Sequence, residues 1–361
     1  MSLPTHGGDR SVGGTARQAL QFFATVACAI AGGSAASAIH MPLPWLLGSM
    51  LGVACISMAG RASRQPVPAR KAAQIYIGSA IGLYFTPVVF GQMAGLALWI
   101  VLGAVVGLAM SVLAARWLQK LAKVDGPTAI YAVALGASAE MSVQAQRAGA
   151  DAAVVASAHA VRIMMVTFGA SFIVWTTGAA TVPPSVGVDA LALHGAAALL
   201  AVATLAGWIF SRWHVPNAWV LGALVVSGAC ASQGLLAHMP DLGLLAAQLV
   251  IGWGLGQNMT PEFFTRAPRT LAAVAAVTVA ILAVCIGAAM LISMGAHLPV
   301  MTAFLSLAPG GMTEMGIISK TFGYGAPIVT SFHLTRILCT VFLTQPMAAW
   351  MLRSGWVRRA L

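Results

Sequence analysis

With 361 residues, only 7% of them charged and 59% hydrophobic, and a mean hydropathy of +0.88, the chain cannot cover a water-facing surface, which takes about 25% charged residues in a soluble domain. The formal net charge of +11 does not indicate nucleic acid, because the basic residues stand in short clusters between apolar runs and line no single face. The ten-residue alternation of an outer-membrane barrel is missing, so the expected class is an all-α polytopic membrane protein.

Residues 1–17, with Arg10 and Arg17, read as a cytoplasmic N-terminal segment. Ala19–Ile39 is the first run near the ~20 residues needed to cross a bilayer. Ala36-Ser37-Ala38 resembles a signal-peptidase site, but the run exceeds an h-region and has an internal counterpart, so it is kept as a span. The loop His40–Pro44 carries no Lys or Arg, residues 61–71 carry Arg61, Arg64, Arg70 and Lys71, residues 90–95 none, and residues 116–123 carry Arg116, Lys120 and Lys123. Further spans are read at Leu96–Ala115, Leu191–Phe210 and Leu271–Ser293. Between the halves, Thr176–Asp189 lacks Lys and Arg; Arg212 follows, then a stretch without them at 233–243, then Arg266 and Arg269, another gap at 294–299, and finally Arg353, Arg358 and Arg359. Cys28, Cys55, Cys230, Cys285 and Cys339 lie singly in apolar surroundings and read as free thiols. Gly, Ala and Ser are frequent inside the spans, as close helix packing requires.

An offset of 174 residues aligns the two halves. It places His40, Pro42, Trp45, Leu47 and Gly48 on His214, Pro216, Trp219, Leu221 and Gly222. Gln74, Gly78, Gly82, Thr86 and Pro87 fall on Gln248, Gly252, Gly256, Thr260 and Pro261. Gly136, Glu140 and Met141 fall on Gly310, Glu314 and Met315, and Ser157, His159 and Arg162 on Ser331, His333 and Arg336. Such matches are not a by-product of hydrophobicity: two of the chain's three Glu pair in this way. Alternating Lys/Arg-rich and Lys/Arg-free loops require about five net crossings per unit, an odd number, and hence two inverted repeats. A parallel six-crossing arrangement would turn Arg212, Arg266 and Arg269 outward. The expected plan is 1–17 cytoplasmic, 18–178 first membrane repeat, 179–190 periplasmic linker, 191–352 second repeat and 353–361 cytoplasmic tail. Residues 125–178 and 299–352 each have room for a broken helix or re-entrant hairpin plus a span, with breakers at Gly136 and at Pro309-Gly310-Gly311.

The duplicated H-x-P-x-x-W-x-x-G segment (His40, Pro42, Trp45, Gly48; His214, Pro216, Trp219, Gly222) and Gly310-Gly311-x-x-Glu314-Met315 resemble the AbrB-duplication membrane protein family over about residues 20–350. That resemblance implies a core of crossed, interrupted helices, as in the cation/proton antiporter and anion transporter superfamily. It also brings the label "ammonia monooxygenase" and, for some members, a gene-regulatory role. The first half departs from the pattern, with Leu135-Gly136-Ala137 in place of Pro-Gly-Gly.

Charged groups inside a bilayer cost at least ~2.5–3.5 kcal/mol each on insertion scales, which makes Glu140, Glu314, Arg162 and Arg336 the first site candidates. His159 and His333 precede the arginines by three residues and share their helix faces. With Gly136, Gly310 and Gly311 these form the expected substrate or ion site. The glutamates would take a coupling proton or cation, and an arginine an anionic solute. The structural counterpart is a Glu–Arg ion pair present twice. Gln74 and Gln248 read as helix glue, Thr86-Pro87 and Thr260-Pro261 as span ends, and His40 and His214 as interface anchors. The expected function is secondary transport of a small, polar or charged solute across a bacterial inner membrane, both termini cytoplasmic, self-association left open. No enzyme activity, metal, cofactor or nucleic-acid partner is expected. The alternatives are a membrane protein with an indirect regulatory role and, last, a metalloenzyme like ammonia monooxygenase. Di-metal carboxylate bundles use Glu-x-x-His, whereas Glu140 and His159 lie far apart in sequence.

Overall fold

The computed structural model describes residues 12–136, 138–178, 190–234, 239–261, 265 and 268–358, without the side chains of 12–16, 138–140 and 190–194. The side chain of Glu140, together with Ala137, Arg266, Arg359 and linker residues 179–189, lies outside the described set.

The described residues form fourteen α-helices and no strand. The first half holds α1 (Val12–Ala38), a π-helical turn (Pro44–Gly48), α2 (Ser49–Met58), α3 (Val67–Gly82), α4 (Pro87–Ala122), α5 (Gly126–Val133), α6 (Ser138–Arg147) and α7 (Ala152–Thr176). The second holds α8 (Ala190–Arg212), α9 (Ala218–Ser232), α10 (Asp241–Gly256), α11 (Pro268–Ala296), α12 (Val300–Leu307), α13 (Met312–Thr321) and α14 (Ala326–Arg353). Six helices are long and apolar enough to cross a membrane, within α1, α4, α7, α8, α11 and α14; Pro44–Met58, Ala218–Ser232 and Asp241–Gly256 are shorter apolar helices. The chain is a multi-pass membrane protein.

The repeat seen in sequence is also a repeat of backbone. Shifted by 174 residues, α3, α5 and α6 coincide end for end with α10, α12 and α13. Among the described residues the non-glycine left-handed positions are His40, Leu43, Lys123, His214, Asn217 and His297, and they form three pairs at the same offset. His40 and His214, with φ of 53° and 56°, are therefore tight-turn residues. Thr86, expected at a span end, stands at the N-terminal boundary of α4 without a side-chain capping bond, with Pro87 in the first turn, where its missing N–H costs nothing.

The halves are interlocked. A Cβ on Gly78 would strike Val220 O and one on Gly252 would strike Leu46 O; Gly82 meets Leu224 and Gly256 meets Met50 in the same way. These glycines let α3 lie directly on α9 and α10 on the π-turn and α2, each helix packing on the opposite half. Equivalent helices also run antiparallel. Gln65 N–H, beside the start of α3, donates to Gln257 Oε1 at the end of α10 (2.6 Å), while Tyr76 farther along α3 donates to Pro240 O at the start of α10. In α4 and α11, Arg269 donates to Leu121 O (2.9 Å) at one end, and Gly295 faces Trp99 at the other.

Candidate functional site

Each segment between the fourth and the last helix of a half is a hairpin of two short helices. Asp151 N–H, just before α7, donates to Thr128 Oγ1 in the first turn of α5 (2.9 Å), so α7 starts beside the start of α5 and α6 must run back. In the second half, Gly325 and Thr302 lie side by side at the equivalent places. Eight residues of α5 or α12 reach about 12 Å at 1.5 Å per residue, less than half of a ~30 Å apolar layer, so neither arm of a hairpin is long enough to cross one.

A helix that stops inside an apolar layer exposes carbonyls that water cannot satisfy. Here the arginines satisfy them. Arg162 donates to Val133 O (3.3 Å) and Ala134 O (3.0 Å) past the end of α5. Arg336 donates to Ala308 O (2.8 Å) and Gly310 O (2.9 Å) past the end of α12. Each positive charge thus also meets the negative end of a helix dipole. The histidine one turn earlier completes the bracket: the arginine donates to its Nδ1 (3.0 Å to His159, 2.9 Å to His333). Because Nδ1 accepts, Nε2 carries the hydrogen and donates to Tyr131 O and Leu305 O, both at 2.9 Å. Both histidines are fully buried, and neither lines the cavity described below.

The glycines answer to neighbouring side chains. Fully buried Met141 lies over Gly136 and fully buried Met315 over Gly310, so a Cβ at either glycine would come within 2.8 Å of a methionine. At Gly311 a Cβ would strike the Glu314 carboxylate. Glu314 stands in the first turn of α13 and folds back over that helix's N-terminus. It takes none of the Arg336 donors, whose partners are the two carbonyls and His333. The alternative reading, a structural Glu–Arg pair, is not met in the second half, which has two separate caps instead, a cation on a C-terminus and an anion on an N-terminus. The Glu140 side chain, the matching group of the first half, lies outside the described residues.

Between the two breaks lies a cavity of about 1060 Å³. It reaches from loop residues Gly60–Gln65, Asp151 and Gln257–Thr260 down to Gly136, Arg162, Gly310, Gly311, Glu314 and Arg336. Six of the nine expected site residues therefore meet in one space. Sequence reasoning missed Arg70 and Gln74, which line the same wall from successive turns of α3. Both belonged to readings that did not foresee this, Arg70 as a loop anchor and Gln74 as helix glue. A signal was available: Arg70 is four residues before Gln74, on one helix face, and its repeat equivalent is Leu244, so a duplicated architectural role cannot explain the charge. Gln248, the partner of Gln74, is buried outside the cavity.

The cavity wall does not extend to Lys320, Tyr76 or Tyr84. Lys320 Nζ lies 5.8 Å from the centre of the Tyr84 ring, and Tyr76 reaches Pro240. Arg64 and Arg70 line the cavity, while Lys71 lies over Trp219 (4.5 Å) and Arg116 over Trp356 (4.6 Å).

Comparison with known proteins gives a concordant result. Residues 45–352 match the family model described as "Transition state regulatory protein AbrB". A protein of Escherichia coli (strain K12) called "Putative regulator AbrB" is 26% identical over 331 residues, covering 86% of this chain and 90% of the relative. "Uncharacterized protein YhjN" of Bacillus subtilis (strain 168) is 23% identical over 349 residues, covering 89% of this chain and 90% of that one.

Proposed function

The chain belongs to the AbrB family of polytopic membrane proteins, and from that premise we propose that it is a secondary transporter of a small polar or charged solute, not an enzyme. The observation that carries the reading is the cavity, which runs from one rim to two matched helix breaks and stops there. Interrupted helices at membrane depth are tolerated where they line such a space, and paired interruptions in two halves mark transport sites.

In this reading the halves are inverted-topology repeats. Two hairpins that enter and leave on one side give five net crossings per half, and the antiparallel pairs α3–α10 and α4–α11 support that count. The basic rim then faces the cytoplasm of a bacterial inner membrane. Glu140 and Glu314 are the coupling groups, each exchanging a proton or cation as the cavity changes face.

Gradient-driven uptake into proteoliposomes tests this, using a panel of labelled small solutes with Glu140→Gln and Glu314→Gln beside the parent. Loss of about tenfold or more in coupled uptake is expected for each variant, as when a site group is removed. If the parent moves no solute, transport fails and the indirect regulatory role becomes the better reading; if both variants match the parent, the coupling assignment fails.

A further inference from the structure

We propose that the cavity is a site for a small organic anion, a carboxylate, seated at the N-terminus of α13 between Arg70 and Arg336 in the place that the Glu314 carboxylate now occupies. This rests on the reading of the cavity as a solute site, and it fixes the chemistry of the solute.

The sign of the charge comes first. The described charged side chains on the wall are Arg64, Arg70, Arg162 and Arg336 against Asp151 and Glu314. Asp151 is already spent, since its Oδ1 accepts from Ala153 N (3.0 Å) and Val154 N (3.1 Å) as the cap of α7. The space is therefore net positive even though both deep arginines hold carbonyls.

The place comes next. Gly311, Met312 and Thr313 line the cavity at the start of a ten-residue helix, and Gly311 offers no side chain to cap it. The N–H groups of this helix start, now covered by the Glu314 carboxylate, and the helix dipole favour an anion there. A helix start alone would not define a site. Arg336, only 4% exposed and also on the cavity wall, keeps its Nε without a partner, and so does Arg162 across the break. Buried guanidinium N–H groups are seldom left unpaired in a finished protein interior. A carboxylate matches such a donor set, two oxygens against a guanidinium edge and backbone N–H groups.

The body of the solute follows from the rest of the wall. Ile163, Ile251, Leu255, Leu271 and Ile337 line the cavity, which suits a short carbon skeleton better than a bare inorganic ion.

Finally, Glu314 already puts a carboxylate over Gly311, and Arg70 lines the same cavity. Two carboxylates cannot share one helix start at full charge, so the solute displaces Glu314 or meets it neutralised. Where Glu314 stays in place, anion entry is linked to its neutralisation, and a coupling ion and an anion would then travel together.

The test is equilibrium binding to the full chain in nanodiscs, at fixed ionic strength, with labelled two- to six-carbon carboxylates, orthophosphate and tetraethylammonium as probes. Arg162 and Arg336 hold the breaks and are left intact. A carboxylate should bind the parent, and Arg70→Gln should weaken it about tenfold or more without changing the unfolding temperature. Glu314→Gln, which removes the competing charge, should tighten it. The proposal is overturned if no carboxylate binds, if orthophosphate or tetraethylammonium binds in its place, or if both variants leave carboxylate affinity unchanged. Binding with these responses but no uptake in proteoliposomes would keep the anion site and reject transport. Uptake confined to cations or neutral solutes would do the reverse.

Discussion

Arg162 and Arg336 show how a costly residue becomes indispensable for architecture before it serves any chemistry. Moving a guanidinium into an apolar layer is unfavourable, and so is stopping a helix there; joining the two cancels much of both penalties. The planar fork matters, because its two terminal nitrogens divide the acceptors, Nη1 taking Ala308 O and Nη2 taking Gly310 O and His333 Nδ1. Arg336→Leu leaves Ala308 O, Gly310 O and His333 without their donor, at a cost of about 3–5 kcal/mol, the range for breaking a buried charged network. Arg70→Leu, on an exposed position of α3, should change stability by about 0.5 kcal/mol or less. Thermal unfolding in detergent separates them; equal losses would mean that Arg336 is not the support of the break.

At the scale of elements, helix contacts across the halves are set by glycine. Gly252→Ala places a methyl against Leu46 O and should destabilise by about 1–3 kcal/mol, as overpacking does. Gly91→Ala, on α4 with open space around it, should gain up to about 1 kcal/mol from helix propensity. Unfolding midpoints of the two variants should move in opposite directions, and a common direction would sink the packing argument. These elements were only partly legible in the sequence. The 174-residue offset could be read because rare residues, His and Glu above all, coincide. The hairpins could be anticipated because Gly136 and Gly310 interrupt apolar runs that also carry a Glu. What could not be read was the partner of each group. Glu314 looks the same in sequence whether it meets an arginine or its own helix start, and that choice is made by the path of α12 and α13. Arg70 was hidden for another reason: a basic cluster at a helix entrance marks a membrane edge whichever way one member of it points.

For the whole molecule, the one-sided cavity separates residues that the repeat makes equivalent. Ser157 lines the cavity, whereas Ser331, at the same place in the other half, is buried and donates to Pro327 O (2.8 Å). In a cysteine-free background, Ser157→Cys should react with an impermeant thiol reagent from the basic side of the membrane, and Ser331→Cys should not. Equal labelling from that side would contradict the one-sided opening. The side away from the cavity has a further consequence. Lys320 lies over the Tyr84 ring there, and their repeat equivalents are Gln146 and Asn258, which carry neither a charge nor a ring. Under the inverted arrangement proposed above, two identical halves would make the inward- and outward-facing forms states of equal energy related by a two-fold axis in the membrane plane. The mismatch lifts that degeneracy. It gives the resting protein a preferred face, and the steady-state orientation of the empty carrier is then written in the few places where its two copies disagree.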